Sequence, residues 1–363
     1  MTTINLARIV ADTNVHRLSL IGLSKNVGKT TTTNYLLEAL LSQKLYQAEE
    51  LAITSLGLDG ETVDALTGLP KPRYVPQAGV LVATTTELLQ QAENEGAQFE
   101  RLLELSGRTA LGPVVLARVL HMGRIIIAGP TLLSELRSAL DKLAAFGAQL
   151  SIIDGAINRL GAAAPNISDA CIICTGTSAG ATPEIVARRT VDIFTRLTIP
   201  QSTWADEYKK LFPQERLVTF SPISVDRVIL GNAGDSEPAS EARLILDGIK
   251  SIENNIYLLR GAFTEELSRE LLRQLSQIHT CSNEAELVVG NATKIFCHSV
   301  TLQRLAAKGL HVRVATPIRI LAMTINPFTT EYACTSQHLL DALMRYLPEK
   351  RSPIIDVVSG KWA

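Results

Sequence analysis

The sequence predicts an α/β fold with a mostly parallel sheet, and three observations carry that expectation. Short apolar runs alternate along the chain with stretches of helical periodicity, the order expected of strand–helix–strand units. Hydrophobic residues make up 46% and charged residues 20%, the balance of a chain able to bury a core. The first strong apolar run feeds a glycine-containing turn and then a helix-like segment.

That first run covers residues 18–23 and reads as a buried strand. A helix is predicted over 30–43, with Leu36, Leu37, Leu40 and Leu41 at helical spacing. Residues 51–56, 80–84 and 114–117 are the next strands. A further strand over 124–128 ends at the turn pair Gly129-Pro130. The spacing of Leu133, Leu136, Leu140 and Leu143 predicts a helix over 131–146, closed by Gly147. Strands follow at 150–153 and 171–175. Beyond these, the pattern predicts a strand at 256–259, a helix over 265–278 capped by Thr264, and a short strand at 295–297. A helix over 300–308 ends at Gly309. The last predicted strand, 310–315, alternates Leu310, Val312 and Val314 with His311 and Arg313, as a partly exposed strand does.

With 363 residues and a prior of about 150 per domain, two domains are expected. The small and polar run GNAGDSEPASE at 231–241 is the linker candidate. It divides a domain over 1–235 from a smaller C-terminal α/β region over 236–363, suited to partner binding; a predicted helix at 243–252 belongs to either side. The formal net charge of −1 provides no basic field for nucleic acid or an anionic membrane, so neither is expected as a partner. The opening MTTINLARIV lacks the features of a signal peptide. The most apolar long stretch, 113–133, carries Arg118, His121 and Arg124, which argues against a membrane span. A cytoplasmic protein is expected. Of the five cysteines, Cys171 and Cys174 form a C-x-x-C inside an apolar run. On a strand, positions three apart face opposite sides, so they read as buried small hydrophobes; Cys281, Cys297 and Cys334 have no metal-ligand spacing. The six histidines form no metal constellation.

The strongest motif is Gly22-Leu-Ser-Lys-Asn-Val-Gly28-Lys29-Thr30, between a strand and a helix. Binding a triphosphate requires backbone N–H groups aimed inward, a turn that glycine permits, and the positive end of a helix dipole. The predicted nucleotide-binding set is Gly22, Ser24, Lys25, Asn26, Val27, Gly28, Lys29, Thr30 and Thr31. Lys29 is the point charge for the β- and γ-phosphates, and the Thr30 hydroxyl is a Mg²⁺ ligand. The four threonines at 30–33 are poor helix formers, so local propensity does not account for them at a helix start. The spacing departs from the usual P-loop, with five residues instead of four between the first glycine and Gly-Lys. Lys25 falls one position late for a lysine reaching across a dimer, so no such contact is assigned. The expected class is therefore a three-layer P-loop NTPase domain with a mostly parallel sheet, binding ATP with Mg²⁺.

A magnesium-nucleotide site needs carboxylates at neighbouring strand ends. Asp154 ends the apolar run Leu-Ser-Ile-Ile and is the predicted metal ligand; the alternative is an ordinary Asp-Gly turn. Asp59 and Glu61, after the second strand, are candidates for magnesium or the attacking water, and a solvated acidic loop is the alternative. Weaker candidates are the 176–180 loop, read as a nucleotide or substrate contact or as a simple turn, and Arg159, read as surface.

The longer loop resembles that of dethiobiotin synthetases and their relatives, within the SIMIBI branch of P-loop proteins. The blocks IGLSKNVGKTTTTNYL, TSLGLDGETVDALTGLPKPR, IAGPTLLSEL, IIDGAINR and TINPF span residues 21 to 328. They resemble a small bacterial family, the KamB subunit of a lysine 5,6-aminomutase reactivase. That resemblance implies an ATP hydrolase that maintains an adenosylcobalamin-dependent aminomutase in amino-acid fermentation, releasing dead cobalamin. Dimers are common in the branch, so a homodimer is a further expectation. Two other functions compete. One is an ATP-dependent small-molecule ligase or kinase using Lys29 with Asp59 or Glu61; the other is a nucleotide-sensing scaffold without turnover.

Overall fold

Apolar runs at the centre of the chain pair as parallel strands buried on both faces in the computed structural model. It describes residues 4–57, 73–155, 160–211, 227–230, 255–276, 284–328, 334–349 and 352–363. The strands are β1 (Arg17–Gly22), β2 (Leu51–Leu56), β3 (Leu81–Thr85), β4 (Gln98–Thr109), β5 (Gly112–His121), β6 (Leu150–Gly155) and β7 (Ala170–Gly176). They continue with β8 (Arg227–Leu230), β9 (Asn255–Leu259), β10 (Ala285–Val289), β11 (Leu310–Val314), β12 (Ile320–Asn326) and β13 (Ile354–Ile355). The α-helices are α1 (Leu6–Asp12), α2 (Lys29–Ser42), α3 (Thr86–Asn94), α4 (Leu133–Ala145), α5 (Pro183–Leu197) and α6 (Ala205–Leu211). After them come α7 (Glu265–Leu275), α8 (Ser299–Ala306) and α9 (Ser336–Tyr346).

The fold is α/β, and the chain forms two units. The first comprises Met1–Val191 with Arg319–Ala363, the second Asp192–Ile318. This differs from the single cut expected at residue 235. The chain leaves the first unit within α5 and returns to it for its last 45 residues, where β12 pairs with β7 and β13 with β12. A composition-based boundary cannot show such a return, because strand pairing between residues 170 and 320 leaves no local trace. The expected linker at 231–241 and the helix at 243–252 lie outside the described residues.

The first unit holds a nine-stranded sheet in the order β13-β12-β7-β1-β6-β2-β3-β5-β4. It is parallel from β13 to β3, and the long hairpin β4–β5 closes one edge in antiparallel register. β1 lies between β6 and β7, so the chain moves to one side of β1 for β2 and β3 and to the other for β7. Crevices outside the carboxyl ends of parallel strands, where the winding changes direction, are the usual ligand sites of such sheets. α1 and α9 pack on β12, α2 on β1 and β6, and α4 on β2, β3 and β6.

The core under α4 is built from Leu136, Ala139, Leu140 and Leu143, at i, i+3, i+4 and i+7, against Ala52, Leu81, Leu116 and Ile153. Leu133, expected in this stripe, is the first residue of the helix and is exposed. Gly147 follows the helix with φ of 110°, the left-handed position that glycine takes past a helix end.

The strand expected at 124–128 does not form. Only Ile125 pairs, in an isolated bridge with Tyr74. Instead, hydroxyls at the ends of neighbouring strands satisfy this backbone. Thr84 Oγ1 donates to the Ile126 carbonyl at 3.2 Å and accepts from the Ala128 amide at 2.9 Å, while Ser55 Oγ accepts from the Gly129 amide at 2.9 Å. A Cβ at Gly129 would sit 1.9 Å from the Ser55 carbonyl oxygen, so the close approach requires glycine.

The second unit contains a four-stranded parallel sheet in the order β11-β10-β9-β8. Its core includes Tyr208, Leu258, Val288 and Ala315. β11 alternates buried Leu310, Val312 and Val314 with half-buried His311 and Arg313, the one-sided pattern read from the sequence. The short strand expected at 295–297 is an isolated bridge between Ile295 and Phe263 after a 3₁₀ turn. No helix among the described residues is long and apolar enough to cross a membrane.

Candidate functional site

The 22–30 loop runs from the carboxyl end of β1 to the start of α2, in the interior of the parallel sheet. Two residues turn the chain in left-handed conformations, Asn26 with φ of 60° and Gly28 with φ of 89°. Gly28 is the N-cap of α2 and supplies no side-chain hydrogen bond, and the first turn of the helix holds no acidic residue. Gly28 therefore caps none of the opening N–H groups of α2 with a side chain, and the first turn of the helix itself adds no carboxylate at its positive end.

Within the loop, Val27 is buried with its methyls against Gly22, while Asn26 and Thr31 are exposed and Ser24, Lys25, Lys29 and Thr30 are half-buried. Lys29 folds back over the strand end. A Cβ on Gly22 would lie 2.9 Å from Lys29 Nζ, so glycine leaves the space the lysine occupies. Lys29 Nζ stands 3.9 Å from Asp154 Oδ1, beyond direct hydrogen-bond distance. Asp154 reaches this point because β6 lies beside β1, with Leu20 and Asp154 in register. Its other oxygen, Oδ2, accepts from the Tyr74 hydroxyl.

Three neighbouring segments hold the loop in shape. The Leu23 amide donates to the Cys174 carbonyl at 3.2 Å. Ser178, in the 176–180 turn, donates to the Lys25 carbonyl at 2.6 Å and lies 3.0 Å from the Ser24 hydroxyl. The Asn326 amide donates to the Asn26 carbonyl at 2.7 Å, and Thr324 Oγ1 lies 3.0 Å from Thr32 Oγ1. The 176–180 segment thus stands against the loop as a 3₁₀ turn over Thr177–Ala179.

The structure therefore brings together Gly22, Ser24, Lys25, Asn26, Val27, Gly28, Lys29, Thr30 and Thr31 as one loop, with Asp154 beside Lys29. Asp59, Glu61 and Arg159 lie outside the described residues. Asn326, Thr324 and Tyr74 are the contacts sequence reasoning missed, whereas Ser178 belongs to the 176–180 loop already named as a weaker candidate. Asn326-Pro327 reads as a turn without a role, and nothing local to Tyr74 marks it.

Among the described residues, no group of three or more His, Cys, Asp or Glu side chains gathers to hold a metal unaided. The donor set beside Lys29, one carboxylate and one hydroxyl, fits Mg²⁺, which usually completes its shell with water and phosphate oxygens. Cys171 and Cys174 are fully buried in β7. Burial pushes their thiols up to about 12 and about 11, which fits the reading of packed hydrophobes better than redox or metal chemistry.

No family model matches the chain, and neither a curated protein nor a solved structure matches it.

Proposed function

We propose that this chain is a P-loop ATPase that binds Mg-ATP at the 22–30 loop. The observation that carries the reading is the placement of Lys29 over Gly22 and beside Asp154, at the adjoining ends of two parallel strands, where α2 begins without a side-chain cap. Amides of the loop and the first turn of α2 would cradle the phosphates, and Lys29 would meet the β- and γ-oxygens. Thr30 and Asp154 would hold Mg²⁺, which when bound offsets charge on the transferring phosphoryl group. Asp59 or Glu61 is the proposed water- or metal-positioning carboxylate.

The role of the hydrolysis is proposed from the sequence resemblance alone: reactivation of an adenosylcobalamin-dependent aminomutase, with nucleotide turnover driving release of inactive cobalamin. The test is ATP hydrolysis by the full chain, with and without an aminomutase carrying inactivated cobalamin. The reading expects slow basal turnover that rises with the loaded mutase and disappears in Lys29→Ala. Consumption of ATP that requires a small metabolite would replace it with a ligase or kinase. Tight binding without turnover under every condition would replace it with a nucleotide-sensing scaffold.

A further inference from the structure

The geometry points to Tyr74 as the positioning residue that orients Asp154 for a divalent cation. This inference rests on the nucleotide reading and extends it to a residue with no place in the loop motif. Tyr74 is buried, 6% exposed, and its hydroxyl donates to Asp154 Oδ2. Lys29 faces the other oxygen, Oδ1. The two oxygens are therefore inequivalent: a neutral donor holds one, and the other points toward the cationic side of the loop. A phenol fixes the rotation of a carboxylate without cancelling its charge, whereas an arginine or lysine in its place would weaken its pull on a metal.

Tyr74 is itself held at both backbone groups. Its amide donates to the Ile125 carbonyl and its carbonyl accepts from the Ile125 amide, each at 2.9 Å. On either side, the Asn34 side chain donates to the Arg73 carbonyl at 3.0 Å and accepts from the Val75 amide at 3.1 Å. Asn34 belongs to α2, the helix that carries Lys29 and Thr30. A chain of hydrogen bonds runs from α2 through Asn34 to the 73–75 backbone and through the phenol to Asp154, whose other oxygen faces Lys29 at 3.9 Å. The helix that presents the loop lysine thus also sets the position of the group that aims the carboxylate. Partners of this kind, one step behind a ligand, commonly change metal affinity by about 10–100-fold when removed.

The test measures ATP affinity of the full chain by calorimetry, first in EDTA and then at stepped Mg²⁺ concentrations. In Tyr74→Phe, affinity for metal-free ATP stays within about twofold of wild type, while the Mg²⁺ needed for half of the full gain rises by about tenfold or more. Asp154→Asn, which removes the proposed ligand itself, loses the Mg²⁺-dependent gain in affinity. Asn34→Ala, which keeps the phenol but releases its backbone, shifts the Mg²⁺ requirement in the same direction and serves if Tyr74→Phe does not fold. Wild-type Mg²⁺ dependence in Tyr74→Phe and Asn34→Ala, with ATP binding lost in Lys29→Ala, overturns the role of Tyr74 and leaves the nucleotide reading standing. Equal ATP affinity in wild type and Lys29→Ala overturns both.

Discussion

The side-chain amide of Asn326 donates to the backbone carbonyl of Asn26 at 2.7 Å, across 300 positions of sequence. Asn26 is one of the two left-handed residues of the loop. The far end of the Asn326 amide is also used, since its Oδ1 accepts from the Phe328 amide at 3.2 Å. Asn326 is thus set by its own strand end and in turn sets the loop. Replacing it with alanine removes both hydrogen bonds; the one to the loop, worth about 1 kcal/mol, corresponds to roughly fivefold weaker ATP binding. Asn326→Asp places an acceptor against the carbonyl and costs more. Titration of both variants with Mg-ATP checks the order; equal affinity in all three proteins would show that the contact does not shape the loop.

The two glycines of the loop separate function from folding. At Gly22 an added Cβ meets the end of the Lys29 side chain at 2.9 Å, which can swing away, and the buried Val27 Cγ2 at 3.0 Å, which must give by a few tenths of an ångström. Gly22→Ala therefore loses ATP affinity with a smaller loss of thermal stability than Gly28→Ala. At Gly28 the backbone is left-handed with φ of 89°, and a Cβ would lie 3.2 Å from Asn326 Cβ. Gly28→Ala pays a backbone strain of about 1–2 kcal/mol and lowers the melting temperature as well as the affinity. Calorimetric melts of the two variants, with and without nucleotide, distinguish the cases. Comparable loss of stability in both would contradict this assignment.

The loop was legible in the sequence because everything that defines it is local: an apolar strand, glycine at the turn, and lysine and threonine opening the helix. Asp154 was legible for the same reason, as the polar end of an apolar run. Tyr74 and Asn326 were not, because their roles depend on pairings between distant segments, Tyr74 with Ile125 and β12 with β7. The 124–128 run was read as a strand from its apolar content. Its backbone is instead satisfied by Thr84 and Ser55, whose hydroxyls looked like ordinary strand residues. The β4 edge strand escaped notice because exposed Glu100, Arg101 and Glu104 interrupt its apolar positions, as sequences at sheet edges commonly do. The second unit was placed too late in the chain, since only the fold reveals that residues from 319 onward rejoin the first sheet.

The buried cysteines offer a test that involves no ligand. Cys171, Cys174 and Cys297 are 0%, 0% and 1% exposed, and burial pushes their thiols up to about 12, 11 and 12. At pH 8 the folded protein holds them as thiols, which are poor nucleophiles. Alkylation with iodoacetamide followed by peptide mapping should leave all three unlabelled in native protein and label them in denaturant. Rapid native labelling of Cys171 or Cys174 would place β7 nearer the surface than its position between β1 and β12 allows.

Asp356 gives the chain an acid-sensitive closure at its C-terminus. Its side chain is buried, 2% exposed, yet it accepts four hydrogen bonds. Oδ2 takes the hydroxyls of Ser336 at 2.5 Å and Ser359 at 2.8 Å, and Oδ1 takes the amides of Val358 at 2.9 Å and Ser359 at 3.2 Å. Burial alone would raise its pKa, but donors from Ser336, Ser359 and Val358 outweigh it and hold the carboxyl below its ordinary 3.8. A carboxyl depressed in the folded state stabilises above its unfolded value and loses that contribution as pH falls through the folded one. The turn it holds pairs Ile354 with Ala363 through two backbone hydrogen bonds of 2.9 Å, beside β12, which carries Asn326 toward the loop. Asp356→Asn should therefore be less stable than wild type at pH 7. The difference in urea midpoint should shrink as pH falls below about 3.8 and on through the lower pKa of the folded carboxyl, below which both side chains are neutral. A gap that stays constant from pH 7 to pH 3 would mean that the carboxylate charge contributes nothing to this closure.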